Sequence, residues 1–417
     1  MVIGGGIGGL TTALCLHAAG LDVRVFESVG EIRELGVGIN LPPHAVKELT
    51  DLGLLDALLA AGVQTQELRY FTKRGQEIWQ EPRGLAAGYR WPQFSIHRGT
   101  LQRLLLDAAL ARIGPDNLRT GHHLAAFDQP GDGTVVARFV ARRAGTPVAT
   151  ETGDVLIGAD GIHSAVRRQL YPDEGPPVWD GTVLWRATTP GVPGLTGRSM
   201  IIAGHARQKF VYYPITPAPD ARGRVLLNWA VQLHAAEHPL AQRGDWNRLG
   251  DVGAILPAFD GWRFPWLDIP ALLRQTAVVY EYLMVDRDPL DRWSFGRVTL
   301  LGDAAHPMYP AGSNGAAQAI LDARALADAL AAARAGDGDI PAALGRYEAA
   351  RRPPTTRLVL SNRQEGPERI LQLVEERAPE GFDDLEAVVP RAELEAIAAQ
   401  YKQAAGFDRQ TLNQAAR

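Results

Sequence analysis

The segment Val2-Ile3-Gly4-Gly5-Gly6-Ile7-Gly8-Gly9-Leu10 constrains this chain more than any other stretch. Few folds place so many glycines between an apolar strand and an apolar helix. Gly4, Gly6 and Gly9 have the spacing G-x-G-x-x-G. In a strand-turn-helix unit the first glycine permits the tight turn. The second lets the backbone approach a pyrophosphate, and the third lets the helix pack closely on the strand. The strand expected at Met1 to Ile3 is short for such a unit. A helix is expected from Leu10 to Ala19, stopping near Gly20. Leu21 to Glu27 alternates as a second strand and ends in an acid, 18 positions after Gly9. A carboxylate there accepts hydrogen bonds from ribose hydroxyls. The unit predicts a bound adenine dinucleotide, either NAD or FAD.

Two later segments choose between them. Asp154 to Arg167 reads as an apolar strand, a Gly158-Ala159-Asp160-Gly161 turn and a helix start, with Ser164 placed to act as N-cap. Gly296 to Pro307 reads as another strand ending in Gly302-Asp303, followed by a glycine-rich turn into a helix. One cofactor held from both ends of so long a chain points to FAD.

With 417 residues, two or three structural units are expected. The net charge is -4 and no Lys/Arg run of nucleic-acid type occurs. Cys15 is the only cysteine, which excludes an intramolecular disulfide framework. No signal-peptide pattern precedes the glycine-rich turn and no apolar run reaches the length of a membrane span. The expected setting is therefore the cytoplasm, with no nucleic-acid or membrane partner.

The Gly158-Ala159-Asp160-Gly161-Ile162-His163-Ser164 and Gly302-Asp303-Ala304-Ala305-His306 runs, with the N-terminal turn, resemble the three fingerprints of the single-component FAD-dependent aromatic hydroxylases. The resemblance covers most of the chain. It implies an α/β fold: a Rossmann-like FAD-binding domain, a β-sheet substrate domain and C-terminal helices. The expected division is 1–173 for the first FAD-binding portion, 174–280 for the substrate sheet, 281–331 for the second FAD-binding portion and 332–417 for the helical region. Strands are expected at Val178 to Ala187, Ser199 to Ala203, Lys209 to Pro214 and Arg224 to Val231, and hairpins at Glu67 to Gln80 and Ala125 to Ala149. Ala316 to Ala335 and Ile340 to Gln364 are helical by period and composition.

The resemblance also assigns roles. Gly4, Gly6 and Gly9 would cradle the pyrophosphate and Glu27 the adenosine ribose. Arg33 and Val37 belong to the Glu31 to Ile39 loop that runs beside the flavin in relatives. Arg98 and Gln102 look like the family's flavin-contacting turn and helix, with Arg98 able to neutralise phosphate. Asp160 belongs to the fingerprint thought to serve both FAD and NAD(P)H. Gly302 and Asp303 would bind the ribityl chain. Gly312, Asn314 and Gly315 would present backbone N–H groups to the reduced isoalloxazine, and Pro310 would lie against its reacting edge. His163 and His306 are expected as hydrogen-bonding residues of turns rather than bases. His122-His123 lacks partners at metal-ligand spacing, so no metal is expected.

The turn Tyr309-Pro310-Ala311-Gly312-Ser313-Asn314-Gly315 and the tail Tyr401 to Asp408 look closer to the phenazine-1-carboxylate hydroxylase type, that of pyocyanin formation. By resemblance, NADH or NADPH reduces FAD transiently, without a nucleotide domain of its own. Reduced flavin and dioxygen form a hydroperoxide at flavin carbon 4a, which hydroxylates an aromatic or N-heteroaromatic small molecule, carboxylated or not. A carboxylate on the reacting carbon would make the reaction decarboxylative. Trp185, Arg186, His205, Tyr212 and Tyr213 are the candidates for the substrate pocket. Strand alternation lets only one of the two tyrosines face it. Tyr213, Arg186 and Pro310 are the catalytic candidates. Epoxidation or Baeyer–Villiger oxygenation of a polyketide-like metabolite, and a non-catalytic flavin-binding redox sensor, are the alternatives. The Trp-x-Trp-x-Ile signature of flavin halogenases is absent. Oligomeric state is open.

Overall fold

The computed structural model describes every residue except 35, 236–247, 337 and 415–417. Leu35, in the loop expected beside the flavin, thus lies outside the described residues.

The first sheet explains how three distant motifs meet. Its order is Ser294–Phe295, Val298–Leu300, Leu156–Gly158, Val2–Ile3, Val25–Phe26, Leu118–Arg119. The last five strands run parallel, and only the hairpin at the Ser294 edge is antiparallel. Val2, Ile3, Leu156, Ile157, Val298 and Leu300 are all buried, the pattern of strands covered on both faces. Parallel strands end on one side. The turns after Ile3, Gly158 and Leu300 therefore line a single edge, where ligands of open parallel sheets bind.

Helix Ile7–Ala18 packs on this sheet between helices Arg98–Ile113 and Gly315–Ala335. Residues Gly9 to Leu16 are buried without interruption, which explains a sequence apolar on all sides rather than on one stripe. A side chain on Gly8 would sit 3.1 Å from Leu301 and 3.3 Å from Ala319, so glycine sets the distance to helix Gly315–Ala335. The helix stops at Gly20, which has φ +73. The second strand is shorter than its alternation suggests, Val25–Phe26 instead of Leu21 to Glu27. Beyond it, the expected hairpin at Ala125 to Ala149 is a three-stranded meander, His123–Asp128, Val135–Val140 and Pro147–Gly153. It is anchored by Phe139 stacked on Phe26, with ring centroids 4.4 Å apart.

The second sheet has seven strands: Tyr280–Asp286, Val178–Gly191, Val225–His234, Gln208–Pro214, Ser199–His205, Glu67–Phe71 and Glu77–Pro82. The hairpin expected at Glu67 to Gln80, within the first FAD-binding portion, is built from Glu67–Phe71 and Glu77–Pro82. It extends this sheet instead, because Ser199–His205 pairs in parallel with Glu67–Phe71. Tyr280–Asp286 closes the other edge. The division at 173, 280 and 331 remains a proposal about folding units. One face of the sheet buries Val183, Trp185, Phe210, Tyr212, Trp229 and Val231 against helices Val252–Phe259 and Ile269–Arg274. The opposite face meets the small sheet Gly38–Leu41, Gln93–His97, Val63–Thr65. Helices Ile340–Arg363, Arg369–Arg377 and Arg391–Ala405 complete the C-terminal region.

The close packing at the N-terminal turn is testable. A Cβ on Gly9 would lie 1.9 Å from the Gly4 carbonyl oxygen, a backbone atom with nowhere to go. Gly9→Ala is expected to cost about 3 kcal/mol or more, read as a lower urea midpoint, whereas Gly345→Ala, on an open helix surface, leaves the midpoint near the wild-type value or above it.

Candidate functional site

The first turn is shaped by what its glycines leave out. Gly4 has φ +108, and a side chain there would strike the Ala159 carbonyl oxygen at 2.4 Å. A side chain on Gly6 would meet nothing within 4 Å. The space over Gly6 is thus open, as a phosphate would need. Helix Ile7–Ala18 has no side-chain cap and no acid in its first turn, so its leading N–H groups face that space unneutralised. Glu27 Oε2 accepts from the Gly5 N–H at 2.7 Å, and Oε1 accepts from the Val29 N–H at 2.8 Å. Gln102 Nε2 donates to the Gly5 carbonyl at 2.8 Å. Glu27 and Gln102 therefore hold the two peptides that flank the Gly5 Cα and fix the turn.

The second motif has a different internal logic from the one expected. The Asp160 carboxylate accepts from the Ser164 hydroxyl and from the Ala165 N–H at 2.7 Å. Ser164 in turn caps helix Ala165–Leu170 by accepting from the Arg167 N–H at 2.9 Å, as its position predicted. Burial pushes the Asp160 carboxyl up, and these donors oppose the shift. Asp160 thus shapes the turn against which Gly4 packs. Arg167, which sequence reading left without a role, is buried. Its Nη1 donates to the carbonyls of Ala304 and Ala305, both at 3.0 Å, and its Nε to Glu174 Oε2 at 2.8 Å. It ties the second motif to the third.

In the third motif Gly302 has φ +59, and its N–H donates to Asp322 Oδ2 at 3.1 Å. The same oxygen lies 2.5 Å from His306 Nε2, and Oδ1 accepts from Arg351 Nε at 2.7 Å. Burial alone would push the Asp322 carboxyl up. His306 and the Arg351 guanidinium outweigh it and hold the carboxyl down to about 2. His306 is therefore a buried partner of an acid, more than a turn-end hydrogen-bonder. Asp322 was missed by sequence reading; the signal was an acid inside the apolar run Ala316 to Ala327.

Asp303 is the contrast. It is exposed to solvent in the cleft, and no donor from the protein reaches its carboxylate among the described residues. The surrounding walls still push its pKa up, opposed by His306 and by Arg98 at the head of helix Arg98–Ile113. The loop that follows carries exposed Pro310, then Gly312 at φ +67 and Ser313 at φ +55. A non-glycine residue there stores about 1 kcal/mol or more of strain. Asn314 is buried, and its Nδ2 donates to the Gly312 carbonyl at 3.0 Å and to the Tyr401 hydroxyl at 3.0 Å. Helix Gly315–Ala335 begins here without a side-chain cap hydrogen bond and without an acid in its first turn. Of the flanking expectations, Val37 is buried and its carbonyl accepts the Arg98 N–H at 2.9 Å. Arg33 instead points to solvent, with its Nε on Glu31 at 2.7 Å.

Across the cleft, the sheet register sorts the pocket candidates. Trp185 and Tyr212 point into the core on the far face. The Tyr212 hydroxyl accepts from the Gly194 N–H at 3.1 Å, and Trp185 Nε1 donates to Glu281 at 3.1 Å. His205 lies at the strand end beyond Gly204, whose φ of +110 breaks the alternation, with Glu375, Lys73 and Lys209 as its charged neighbours. Arg186 and Tyr213 lie on the near face, as does Asn228, which pairs with Tyr213. They grip Gly38 from three sides. Arg186 Nη2 donates to its carbonyl at 2.7 Å and its N–H donates to Asn228 Oδ1 at 2.7 Å. A side chain on Gly38 would lie 2.7 Å from the Tyr213 ring. Asn228 Nδ2 is buried without a partner among the described residues. Tyr280 and Tyr282, with ring centroids 6.5 Å apart, adjoin Arg186 through paired strands. Burial pushes the Tyr213 and Tyr282 hydroxyls up, with Arg186 opposing in both.

An open cradle at Gly6, two bare helix N-termini, the exposed Asp303 carboxylate and Arg98 fit a ligand with a pyrophosphate, a polyhydroxy chain and an electron-rich ring system. FAD has all three.

The comparisons agree. The FAD binding domain family matches residues 1–186 and 278–361. Phenazine 1,6-dicarboxylic acid hydroxylase of Lysobacter antibioticus is 48% identical, over 87% of this chain and 88% of its own. A 3-hydroxybenzoate 6-hydroxylase of Klebsiella oxytoca is 31% identical, over 88% and 87%. A variant of Klebsiella pneumoniae HpxO crystallised with FAD superposes with a TM-score of 0.70 at 25% identity, covering 99% of this chain and 96% of that one.

The buried Asp322 makes a pH-dependent contribution whose sign is fixed. Its folded pKa of about 2 lies below the ordinary carboxyl value, so its stabilisation is present above about pH 4 and lost as pH falls through about 2. Asp322→Asn is expected to lower stability by about 3 kcal/mol at neutral pH. The gap to wild type should close between about pH 4 and 2, measured by urea denaturation across that range.

Proposed function

The chain belongs to the FAD binding domain family, among the FAD-dependent aromatic hydroxylases, and from that premise we propose that it hydroxylates a planar, fused N-heteroaromatic carboxylic acid of phenazine type. It is a monooxygenase that uses NAD(P)H and dioxygen. The reading of its substrate rests above all on one arrangement: the Arg186 guanidinium beside Tyr213, Tyr280 and Tyr282 on the near face of the second sheet. A guanidinium is suited to a carboxylate and tyrosine rings to a flat polycycle. The Lysobacter relative, by its name, acts on such a diacid.

Bound FAD supplies activated oxygen once NAD(P)H has reduced it. The chain's own groups do the rest by binding and orientation. Gly4, Gly6 and Gly9 admit the pyrophosphate, Glu27 takes the adenosine ribose, and Gly302 and Asp303 take the ribityl chain. Arg98 balances phosphate charge. Gly312, Asn314 and Gly315 bring the N-terminus of helix Gly315–Ala335 to the ring, with Pro310 at its reacting edge. Arg186 orients the substrate by its carboxylate. Tyr213, kept protonated by burial, donates a hydrogen bond at its phenolic oxygen. The unpartnered Asn228 Nδ2 offers a further donor. Arg33 and Val37 shape the loop, Gln102 fixes the Gly5 peptide, and Asp160 sets the second turn. No helix among the described residues is long and apolar enough to cross a membrane. We place the enzyme in the cytoplasm with a small aromatic substrate and dioxygen as its partners, and with no nucleic-acid or membrane partner.

The decisive assay measures NAD(P)H oxidation on phenazine carboxylates, benzoates and pyridine carboxylates, with peroxide quantified and the product mass determined. A phenazine carboxylate should stimulate turnover with little peroxide and gain one oxygen, or exchange a carboxyl for a hydroxyl. Stimulation only by uncharged polyketides would sink this reading. Arg186→Gln should raise KM for a carboxylated substrate about 10- to 100-fold, the worth of a charge-assisted hydrogen bond, while an uncarboxylated analogue is little affected. Asp303→Ala should weaken FAD retention by about tenfold or more; full retention would remove the ribityl assignment.

A further inference from the structure

We propose that Tyr401, on the C-terminal helix Arg391–Ala405, is a positioning residue that holds the loop Pro310 to Gly315 against the flavin and thereby tunes the cofactor's reduction. This rests on the cofactor reading above. The loop has little support of its own. Gly312 and Ser313 both have positive φ and both line a cavity, shared with Asn40, Tyr401, Lys402 and Phe407. Asn314, the residue before the helix, spends its side chain on the loop and on Tyr401 rather than on a cap.

Tyr401 supplies the missing support from behind. Its hydroxyl donates to the Ala311 carbonyl at 3.0 Å and accepts from Asn314 Nδ2 at 3.0 Å. Its ring fills the space that a side chain on Gly312 would need, since a Cβ there would lie 2.1 Å from the hydroxyl oxygen. One phenol thus touches Ala311, Gly312 and Asn314. Burial keeps it protonated by pushing its pKa up. Its helix is fixed in turn: Gln318 Nε2 donates to the Ala405 carbonyl at 2.9 Å, and Lys402 Nζ meets Glu81 at 2.5 Å. A second anchor reaches the same loop. Glu368 Oε1 accepts from the Gly312 N–H at 3.2 Å while Oε2 holds Lys209 at 2.5 Å. The free N–H groups at the start of helix Gly315–Ala335 favour negative charge. Their distance from the ring therefore sets how much better the reduced flavin binds than the oxidised one.

The test is Tyr401→Phe, which keeps the ring and removes the hydroxyl, beside Gln403→Ala on the exposed side of the same helix. The readouts are the two-electron potential of bound FAD, its dissociation constant in both redox states, and the melting temperature of the FAD-free protein. Tyr401→Phe should shift the ratio of reduced to oxidised affinity about tenfold toward the oxidised form. That is about 30 mV more negative for a two-electron couple. The FAD-free melting temperature should change little, and Gln403→Ala should alter nothing. An unchanged potential in Tyr401→Phe overturns the proposal, as does a shift reproduced by Gln403→Ala. So does a loss of stability in the FAD-free protein with the affinity ratio intact, which would make Tyr401 a packing residue only. Wild-type protein that takes up no FAD would instead fell the cofactor reading, and this proposal with it.

Discussion

The contact between Gly4 and Ala159 governs this molecule. A Cβ on Gly4 would sit 2.4 Å from the Ala159 carbonyl oxygen, and one on Gly9 1.9 Å from that of Gly4. Three backbone segments share a space that no side chain can enter. Two parallel strands can then end side by side, with helix Ile7–Ala18 rising between them. The Glu27 carboxylate accepts from the Gly5 N–H. Gln102 reaches the Gly5 carbonyl from helix Arg98–Ile113. The second and third motifs stand along the same sheet edge.

Backbone contact sets distances but does not lock the third motif in place. Buried charge does that. Arg167 lies on the helix after the second motif and donates to two carbonyls of the third. Asp322 holds the Gly302 N–H, His306 and Arg351 together. Buried ions are costly to desolvate and contribute little net stability against an apolar substitute. Their value here is geometric: each has only one arrangement that satisfies it. Among the described residues no protein donor reaches the adjacent Asp303 carboxylate. Of the two neighbouring acids, Asp322 is buried among hydrogen-bond donors and Asp303 faces solvent.

Much of this was legible from residue order, for reasons that can be named. Helices Gly315–Ala335 and Ile340–Arg363 fall within a residue of their expected ends because composition and period agree there. Alternation said that Tyr212 and Tyr213 must face opposite ways, and the pairing of Tyr213 with Asn228 says which way. Ser164 caps where its spacing put it. Other features had no local signal. Trp185 looked like a pocket residue because its strand was right, yet register turns it to the far face; His205 sits at a strand end, past the irregular Gly204. Arg33 looked like a flavin neighbour by its loop, and it is a solvated ion pair with Glu31. Arg167, Asn228 and Tyr401 act on backbone groups far away in sequence, and carbonyl or amide partners leave no mark on residue identity. The hairpin at residues 67–82 was misplaced for the same reason: its partner strand, Ser199–His205, lies well downstream.

The order of strands in the first sheet has a consequence for how the protein comes into being. Val2–Ile3 is made before the other strands of its sheet, yet one of its two neighbours is Leu156–Gly158, and that strand in turn is flanked by Val298–Leu300. The glycine turn therefore leaves the ribosome long before the surfaces that shape it. Until residue 300 has been synthesised, the nascent chain carries apolar strands with open edges and a phosphate cradle that lacks its far wall. Such non-local pairing folds slowly and exposes unpaired edges on the way. The topology of the sheet thus delays closure of this edge, and FAD, by binding only the folded chain, draws the distant ends together by mass action.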